Sequence, residues 1–222
     1  MRMKVAGRRS QVAGGPLRWN INRTPTKAQL SAIAKMLTDG GVVLMPTDTI
    51  YGLHALAGDE NSVARLAEIK GRDAKPFVVI ANSLAQIDTI GVILSLSNRK
   101  ALASLWPAPL TAVMSLRNTL AASRGAATIA VRVPDLAWLR DLLAATGPLA
   151  STSANASGAP PASKPEDLPR ELLASLDGIV DAGNLDGKSS AIVDVTGDEP
   201  RLIRAGEDLF TQKMWKTLRK SL

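Results

Sequence analysis

The chain has 222 residues, of which 45% are hydrophobic, and this is enough to bury a core in one α/β domain. Cysteine is absent and His54 is the only histidine, which excludes disulfides, thiolate catalysis and metal sites built from several cysteines or histidines. The formal net charge is +7, but residues 25–200 hold 15 bases and 18 acids, so a nucleic-acid-binding surface over the whole domain is weakly supported.

The basic excess lies at the two ends of the chain. Residues 1–24 hold six Lys or Arg and no acid, and residues 201–222 hold six against two acids, which either assists contact with RNA or keeps the protein soluble. No stretch approaches eighteen uninterrupted apolar residues, and the basic start lacks the apolar region of a signal peptide. We therefore expect a cytoplasmic protein that makes no contact with a membrane.

The first elements can be placed from capping and breaking signals. Residues 1–24, rich in Gly, Arg and Ser, predict a disordered basic extension. Thr26 and Gln29 form the pattern of a capping box at the start of an amphipathic helix, and Gly40 is its expected end. The apolar run 42–45 then predicts a strand that ends at Pro46.

A loop rich in hydroxyl groups follows this strand and contains Thr47, Asp48, Thr49 and Tyr51. Open α/β sheets bind ligands where strands end, because the side chains there converge on a crevice. The alternative is an ordinary strand-to-helix turn with helix-capping hydroxyls, in which Gly52 allows the backbone to turn sharply. His54, the one histidine available for a catalytic triad, lies in the run YGLHALA and is better explained as a packed side chain.

Beyond this loop, periodicity predicts an alternation of helices and strands. Helices are expected over 59–69, 97–106, 135–146 with Asp135 as cap, 165–176 and, as a basic amphipathic helix, 208–222; strands are expected over 77–81, 110–116, 128–134, 148–152, 179–182, 191–195 and 201–206. Helices and strands alternate early, and strands pair later. This indicates one α/β domain over 25–207, with helices packed on a twisted mixed sheet.

Two polar clusters accompany these elements. Lys70 and Arg72, with Lys75 nearby, follow a helix and can together reach one polyanion, although cations at a helix end also complement its dipole. The run STSANASG, residues 151–158, offers hydroxyls and backbone N–H groups of the kind that bind phosphate or carboxylate. A third segment, Ala182–Ser190, is nearly a P-loop. It has Ala182 where that motif needs glycine, and a strand rather than a helix is predicted after it, so we reject this reading.

Several motifs in order now identify a resemblance. They are PTDTxYGL at 46–53, KxR at 70–72, WPxPLT at 106–111, TIAVRVP at 128–134, STSANxSG at 151–158, SSAIVDVTG at 189–197 and RLIRAG at 201–206. From about residue 26 to residue 206 the chain resembles the YrdC family of L-threonylcarbamoyladenylate synthases, in its single-domain type. The resemblance implies a YrdC-like α/β domain with a large, positively charged central cavity.

The resemblance also implies an activity. Members of this family combine L-threonine, bicarbonate and ATP into threonylcarbamoyl-AMP and pyrophosphate, for modification of the adenosine next to the anticodon of tRNA. Mg²⁺ is expected with ATP as substrate and no other metal, and tRNA and downstream threonylcarbamoyl transferase proteins are implied as partners. By position, threonine is assigned to Thr49, Arg132, Ser153 and Ser190, and ATP to Lys70, Arg72, Lys75, Thr128, Asn155, Ser163 and Arg204. Lys70, Arg72, Ser153 and Asn155 are the implied catalytic residues.

The chain departs from the family pattern in a few places. The segment KGRDAKPF lacks the proline that usually follows the arginine, Ile80 stands where two-domain members carry histidine, and His54 and Leu56 replace Gly or Ala and Asp. Two alternatives remain open. The basic ends and the pI near 10 would suit a non-catalytic RNA-binding or ribosome-associated module of the same fold, and the altered residues after Tyr51 would suit an enzyme of this fold that acts on another amino acid or acyl acceptor.

Overall fold

The computed structural model describes residues 15–71, 74–155 and 159–206. Its strands are β1 (Leu17–Asn20), β2 (Val43–Pro46), β3 (Tyr51–Leu56), β4 (Val78–Ile80), β5 (Val92–Ile93), β6 (Leu110–Leu116), β7 (Thr128–Arg132), β8 (Leu149–Ser153), β9 (Gly178–Asp181), β10 (Ala191–Asp194) and β11 (Arg201–Arg204). The helices are α1 (Lys27–Thr38), α2 (Glu60–Lys70), α3 (Leu84–Asp88), α4 (Leu96–Leu105), α5 (Ala137–Thr146) and α6 (Arg170–Ala174).

All eleven of these strands belong to one mixed sheet. The order is β1-β9-β2-β3-β8-β4-β7-β6-β10-β11, and β5 pairs with β6 off this path. The pairs β1/β9, β2/β9, β4/β7 and β6/β10 are parallel, and the remaining pairs are antiparallel. This confirms the predicted α/β class, with a mixed sheet and packed helices.

Each face of the sheet has its own apolar core. On one face, residues such as Leu66 of α2 and Leu102 of α4 pack with alternate strand residues of β2 to β10. On the other face, Leu37 of α1 and Leu143 of α5 pack with Val43, Met45 and neighbouring residues. Side chains alternate across a strand, so residues of adjacent strands that are paired in register share a face. No helix among the described residues has the length and apolar character needed to cross a membrane.

Capping explains where the longer helices begin and end. The hydroxyl of Thr26 accepts from the N–H of Gln29 at 3.2 Å, and the Gln29 side chain accepts from the Thr26 N–H at 2.8 Å, which confirms the predicted capping box. In α2 the Asp59 carboxylate accepts from the N–H groups of Asn61 and Ser62. Gly71 ends this helix in the left-handed region, with φ of 57°. The helix end therefore presents Lys70 at a fixed position.

Two predictions near the start of the chain are wrong. Residues 17–20, placed in a disordered extension, form β1, because alternation in LRWNIN lets Trp19 pack on the second core. Residues 1–14 lie outside the described part. The turn expected after residue 50 is instead the strand β3, which pairs with β2 as a hairpin. Gly52 lies inside that strand, and the ring of His54 occupies the space that a side chain at this position would need.

Later differences are smaller. The helix predicted over 165–176 is two short pieces, Pro165–Asp167 and α6, because Pro169 holds the preceding Leu168 in an extended conformation. Asp135 does not cap α5, whose N-cap is Leu136 without a side-chain hydrogen bond. Helix α3 and strand β5 were not predicted. The helix predicted over 208–222 lies outside the described residues.

Candidate functional site

One face of the sheet is only partly covered at its central strands. Val78 of β4, Ala130 of β7 and Val113 of β6 are register partners and are half-buried, although their strands lie inside the sheet. Val79 and Val131, which point to the opposite face, are fully buried. The half-open face therefore offers a surface on which a ligand can lie. Alternation places Thr128 and Arg132 of β7 on this same face.

Arg132 is the centre of the polar groups at this face. It ends β7 and is 6% exposed. Its Nη1 donates to the Thr49 hydroxyl at 2.6 Å and its Nη2 donates to the Thr47 hydroxyl at 3.3 Å. Asp48 lies between these threonines in sequence, and its Oδ1 is 3.5 Å from Arg132 Nη2. The β2–β3 turn is thus joined to the end of β7.

The β2–β3 turn is itself held by hydroxyl groups. The Thr47 and Thr49 hydroxyl oxygens are 2.9 Å apart, and Thr47 donates to the carbonyl of Ile50 at 2.8 Å. The N–H groups of Thr49 and Ile50 both point at the Thr47 hydroxyl oxygen. The hydroxyl-rich loop predicted after Pro46 is therefore a turn held by its own hydrogen bonds. Its proton donors are arranged in a chain that starts at Arg132.

Burial sets the electrostatics around Arg132. Desolvation lowers the pKa of its guanidinium, the Asp48 carboxylate opposes this shift, and the Arg204 cation adds to it. An arginine nevertheless keeps its charge in a protein, since its ordinary pKa is very high. Within the part of the chain that the structure describes, two buried atoms of this pair have no hydrogen-bond partner: Arg132 Nε and Asp48 Oδ1.

The predicted cluster of Lys70, Ser153 and Asn155 is brought together. Lys70 Nζ donates to the carbonyl of Ser153 at 2.9 Å and to the carbonyl and side-chain oxygen of Asn155. The Ser153 hydroxyl donates to Asn155 Oδ1 at 2.8 Å. Gly52 and Ser153 are register partners on β3 and β8. The end of α2 and the loop after β8 therefore meet near the β2–β3 hairpin.

A third cluster of polar side chains surrounds Ser190. Its hydroxyl lies 2.9 Å from that of Thr111, and Thr111 is the register partner of Arg132. Its carbonyl accepts from Arg204 Nη2 at 2.8 Å and Nε at 3.2 Å. Four of the predicted residues, Thr49, Arg132, Ser190 and Arg204, are thus connected directly or through Thr111. Sequence analysis assigned no role to Thr111, although this residue is part of the WPxPLT motif.

The segment rejected as a P-loop packs against the threonine-rich turn. Residues 182–190 have no helix after them, and β10 follows as predicted, so the rejection is confirmed. A Cβ added to Gly187 would lie 1.1 Å from the Thr49 carbonyl oxygen, which shows how closely the two backbones approach. The Tyr51 hydroxyl accepts from Ala182 N–H and donates to the Gly183 carbonyl. Burial raises the pKa of Tyr51 to about 12, so this hydroxyl stays protonated.

The other predicted site residues have fewer contacts with the polar clusters described above. Thr128 is half-buried on β7, and Lys75 is exposed just before β4. The exposed Ser163 accepts from Leu185 N–H through its carbonyl at 2.8 Å, which ties its loop to the 182–190 segment. Arg72 lies outside the described residues. No group of three or more His, Asp or Glu side chains in the described ranges could form a metal site.

His54 is a buried packing residue and is not exposed to solvent. It is fully buried, and neither ring nitrogen has a hydrogen-bond partner among the described residues. Burial, together with the Arg132 cation, lowers the pKa of His54 to about 3. The ring is therefore neutral at ordinary pH and stacks over Gly52 within β3.

Comparisons with known proteins point to one family. The family model Sua5_yciO_yrdC, described as Telomere recombination, matches residues 35–206. The Threonylcarbamoyl-AMP synthase of Bacillus subtilis is 30% identical over 85% of this chain and 58% of its own length. That of Pseudomonas syringae is 32% identical over 78% of this chain and 95% of its own length. The Putative threonylcarbamoyl-AMP synthase of Mycobacterium tuberculosis H37Rv is 36% identical over 75% and 79%.

Solved structures agree with this fold. Pyrococcus abyssi Sua5 complexed with L-threonine superposes with a TM-score of 0.79 at 29% identity, over 86% of this chain and 57% of that one. Escherichia coli YciO superposes with a TM-score of 0.77 over 86% and 96%, and at 24% identity it supports the fold alone. The chain spans less than two thirds of the B. subtilis and P. abyssi proteins.

Proposed function

The chain belongs to the Sua5/YciO/YrdC family, and from this premise we propose that it is a threonylcarbamoyl-AMP synthase. The observation that carries the proposal is its similarity to curated synthases such as that of P. syringae, of which it covers 95%. Under this proposal L-threonine, bicarbonate and ATP are substrates. Threonylcarbamoyl-AMP and pyrophosphate are products, and the threonylcarbamoyl group is destined for tRNA.

The proposed reaction has two bond-forming steps. The neutral α-amine of threonine attacks the carbon of bicarbonate, and loss of water leaves a carbamate. A carbamate oxygen then attacks the α-phosphorus of ATP, the bond from that phosphorus to the bridging oxygen breaks, and pyrophosphate leaves. Such transfers depend on alignment of reactants and neutralisation of charge, and no covalent intermediate with the protein is needed.

The threonine half of the site is assigned to the polar groups around Arg132. A guanidinium binds a carboxylate through two parallel hydrogen bonds, which suits Arg132 for the threonine carboxylate. Thr49, Ser153 and Ser190 supply neutral hydroxyls for the rest of the amino acid. The L-threonine complex of P. abyssi Sua5, a protein of the same fold, supports threonine as the ligand.

The ATP half is assigned to the cations around the end of α2. Lys70, Arg72 and Lys75 neutralise the triphosphate, and Thr128, Asn155, Ser163 and Arg204 contact the remainder of ATP. Lys70, Arg72, Ser153 and Asn155 stand closest to the reacting groups in this assignment. Mg²⁺ enters with ATP and is held mostly by triphosphate oxygens, as is usual for this ion. The half-open face of the sheet would be the floor of the cavity implied by the family resemblance.

Product formation with defined substrates tests the proposal. The purified protein is incubated with ATP and Mg²⁺, with and without L-threonine and bicarbonate, and pyrophosphate and the AMP ester are quantified. We expect both products only when threonine and bicarbonate are present together. ATP turnover that ignores threonine would contradict the proposal. Salt-sensitive RNA binding without turnover, unaffected by Lys70→Ala, would instead favour the RNA-binding alternative. Delivery to tRNA by separate transferase proteins in the cytoplasm is part of the same proposal.

A further inference from the structure

Asp48 is a buried carboxylate with one unused oxygen. Its side chain is 5% exposed, in the turn between β2 and β3. Oδ2 accepts from the N–H of Asp135 at 3.0 Å. Oδ1 lies 3.5 Å from Arg132 Nη2 but accepts no hydrogen bond from any described residue. A buried ionised oxygen normally has hydrogen-bond donors, since burial without them is costly.

Arg132, the ion-pair partner of this carboxylate, has an unused donor. Arg132 donates from Nη1 to the Thr49 hydroxyl and from Nη2 to the Thr47 hydroxyl, while its buried Nε donates to no described residue. The same buried ion pair, joined through Nη2 and Oδ1 at 3.5 Å, thus contains an acceptor and a donor of opposite charge that both lack a hydrogen-bond partner among the described residues. A ligand that fits must present an anionic acceptor and a cationic donor close together. An α-amino acid does this, because its carboxylate and its ammonium group are attached to the same carbon.

We propose that Asp48 Oδ1 accepts a hydrogen bond from the α-ammonium group of the amino acid whose carboxylate is bound by Arg132. This rests on the proposed function and deepens it, because it explains how the site recognises the group that reacts. After the ammonium has released a proton to water, Asp48 still accepts from an amine N–H, and the nitrogen lone pair then points away from the carboxylate. Asp48 is thus a binding residue that selects α-amino acids over acids without the amine.

A merely structural role for Asp48 makes a different prediction. The Asp48 carboxylate also forms an ion pair with Arg132 and accepts a hydrogen bond from the Asp135 N–H. Its loss could therefore displace the guanidinium. A displaced Arg132 would weaken the binding of every carboxylate ligand to the same extent. Loss of a specific contact with the amine would weaken only ligands that carry the amine. The pair L-threonine and 3-hydroxybutanoate, which is threonine without its amino group, separates these two cases.

The test is calorimetric titration of wild type and Asp48→Asn with both ligands. Asparagine keeps the size of aspartate and an oxygen for Asp135 N–H, but it removes the charge and turns the other position into a donor. We expect the affinity for L-threonine to fall at least about tenfold, while that for 3-hydroxybutanoate changes less than about threefold. Asp135→Asn, which alters a neighbouring carboxylate that is 65% exposed, should change neither.

Each other outcome is decisive. Equal losses for both ligands, or unchanged threonine affinity, overturn the role of Asp48 and leave the proposed activity to be judged by product formation. If Asp48→Asn does not fold, the wild type still decides, because equal affinity for the two ligands overturns the inference. A wild type that binds a different L-amino acid through Asp48 would refute threonine as the substrate and keep the inference. A wild type that binds no α-amino acid refutes both.

Discussion

Two basic side chains, one charged and one neutral, are buried near the proposed threonine site. Arg132 keeps its charge and is surrounded by the hydroxyls of Thr47 and Thr49. His54 is neutral, lies within the apolar strands and leaves both ring nitrogens without a partner among the described residues. The histidine that departs from the family pattern is therefore a packing residue in this structure, as its apolar sequence context predicts. Its influence should appear in stability.

The pH dependence of stability should reveal His54. Its pKa is about 3 in the folded state and about 6.5 in an unfolded chain, so only the unfolded state binds its proton between these values. The free energy of unfolding is thus highest above pH 6.5 and falls as the pH is lowered, by up to about 1.4 kcal/mol per pH unit. Urea unfolding at pH 7 and pH 5 should differ by about 2 kcal/mol.

The comparison is clean because His54 is the only histidine and cysteine is absent. Carboxylates titrate mainly below pH 5, so few other groups change between the two measurements. The variant His54→Leu is the control, and its free energy of unfolding should change by less than about 0.5 kcal/mol over the same interval. An equal slope in the variant would show that another group carries the pH dependence.

At the scale of elements, apolar periodicity and capping predicted most of the sheet and its helices. The strand 110–116 was placed as observed, and the helix 59–69 was displaced by one residue. The errors came from tertiary contacts that no local pattern encodes. β1 forms because it pairs with β9, about 160 residues later in the chain, and because Trp19 packs on the core that also contains Leu37. β3 was missed because Gly52 is explained only by the ring of His54 above it.

The candidate site was predicted only in part, again because some of its contacts depend on tertiary structure. Motifs named Thr49 and Arg132, and the structure joins them at 2.6 Å. Nothing in the spacing indicates that the 182–190 segment packs on Thr49, because that contact depends on how β9, β2 and β3 are ordered in the sheet. Asp48 was seen as one polar loop residue among several. Its unused oxygen becomes visible only once burial and hydrogen bonds are known.

The segment over Thr49 can be tested through Gly187. An alanine there would place its Cβ 1.1 Å from the Thr49 carbonyl oxygen, so the segment or the turn must move. We expect Gly187→Ala to weaken L-threonine binding by about 1–2 kcal/mol, comparable to the loss of a hydrogen bond in the site. Calorimetry measures this directly. Gly197→Ala, where a Cβ meets nothing within 4 Å, is the matched control and should bind normally.

Helix α1 offers a test of stability that spares the site. Thr26→Ala removes the hydroxyl of the capping box and leaves the Gln29 N–H without its acceptor. Loss of such a cap costs about 0.5–2 kcal/mol, which urea unfolding can detect. ATP and threonine affinities should be unchanged, because the Thr26 hydroxyl bonds only with the Gln29 N–H among the described residues. A loss of threonine affinity in this variant would show that α1 supports the site.

At the scale of the whole molecule, the proposed site is assembled from distant parts of the chain. The β2–β3 turn, the ends of α2, β7 and β8, and the segment before β10 contribute one or two residues each. Lys70 binds Ser153 and Asn155, while Arg132 binds Thr49 and lies beside Thr111, the partner of Ser190. Ser153, proposed for threonine, is thus bonded to two residues proposed for ATP, and Arg204, proposed for ATP, is bonded to Ser190, proposed for threonine. The two proposed halves share supports, so variants must show whether each half binds its ligand separately.

Arg72 and Ser153 test whether the two proposed halves bind separately. If Arg72 contacts the triphosphate as proposed, Arg72→Ala should weaken ATP binding by about 1.5–3 kcal/mol, the usual contribution of a hydrogen bond to a charged group, while threonine binding hardly changes. Ser153→Ala removes a neutral hydroxyl, so threonine binding should weaken by about 0.5–1.5 kcal/mol with ATP binding nearly intact. Separate titrations with ATP and with L-threonine measure both.

The combination of the two variants discriminates among the possible functions. A phosphate-binding loop of any other function would lose ATP affinity in both variants, since Ser153 and Lys70 are joined through Asn155. A purely structural loop would lose stability in both variants without changing the preference between ligands. If Ser153→Ala weakens ATP as much as Arg72→Ala does and threonine affinity is unchanged, the two sides are not separate. Ser153 would then belong to the phosphate side, and the amino-acid pocket would have to be built around Arg132, Thr49 and Ser190 alone.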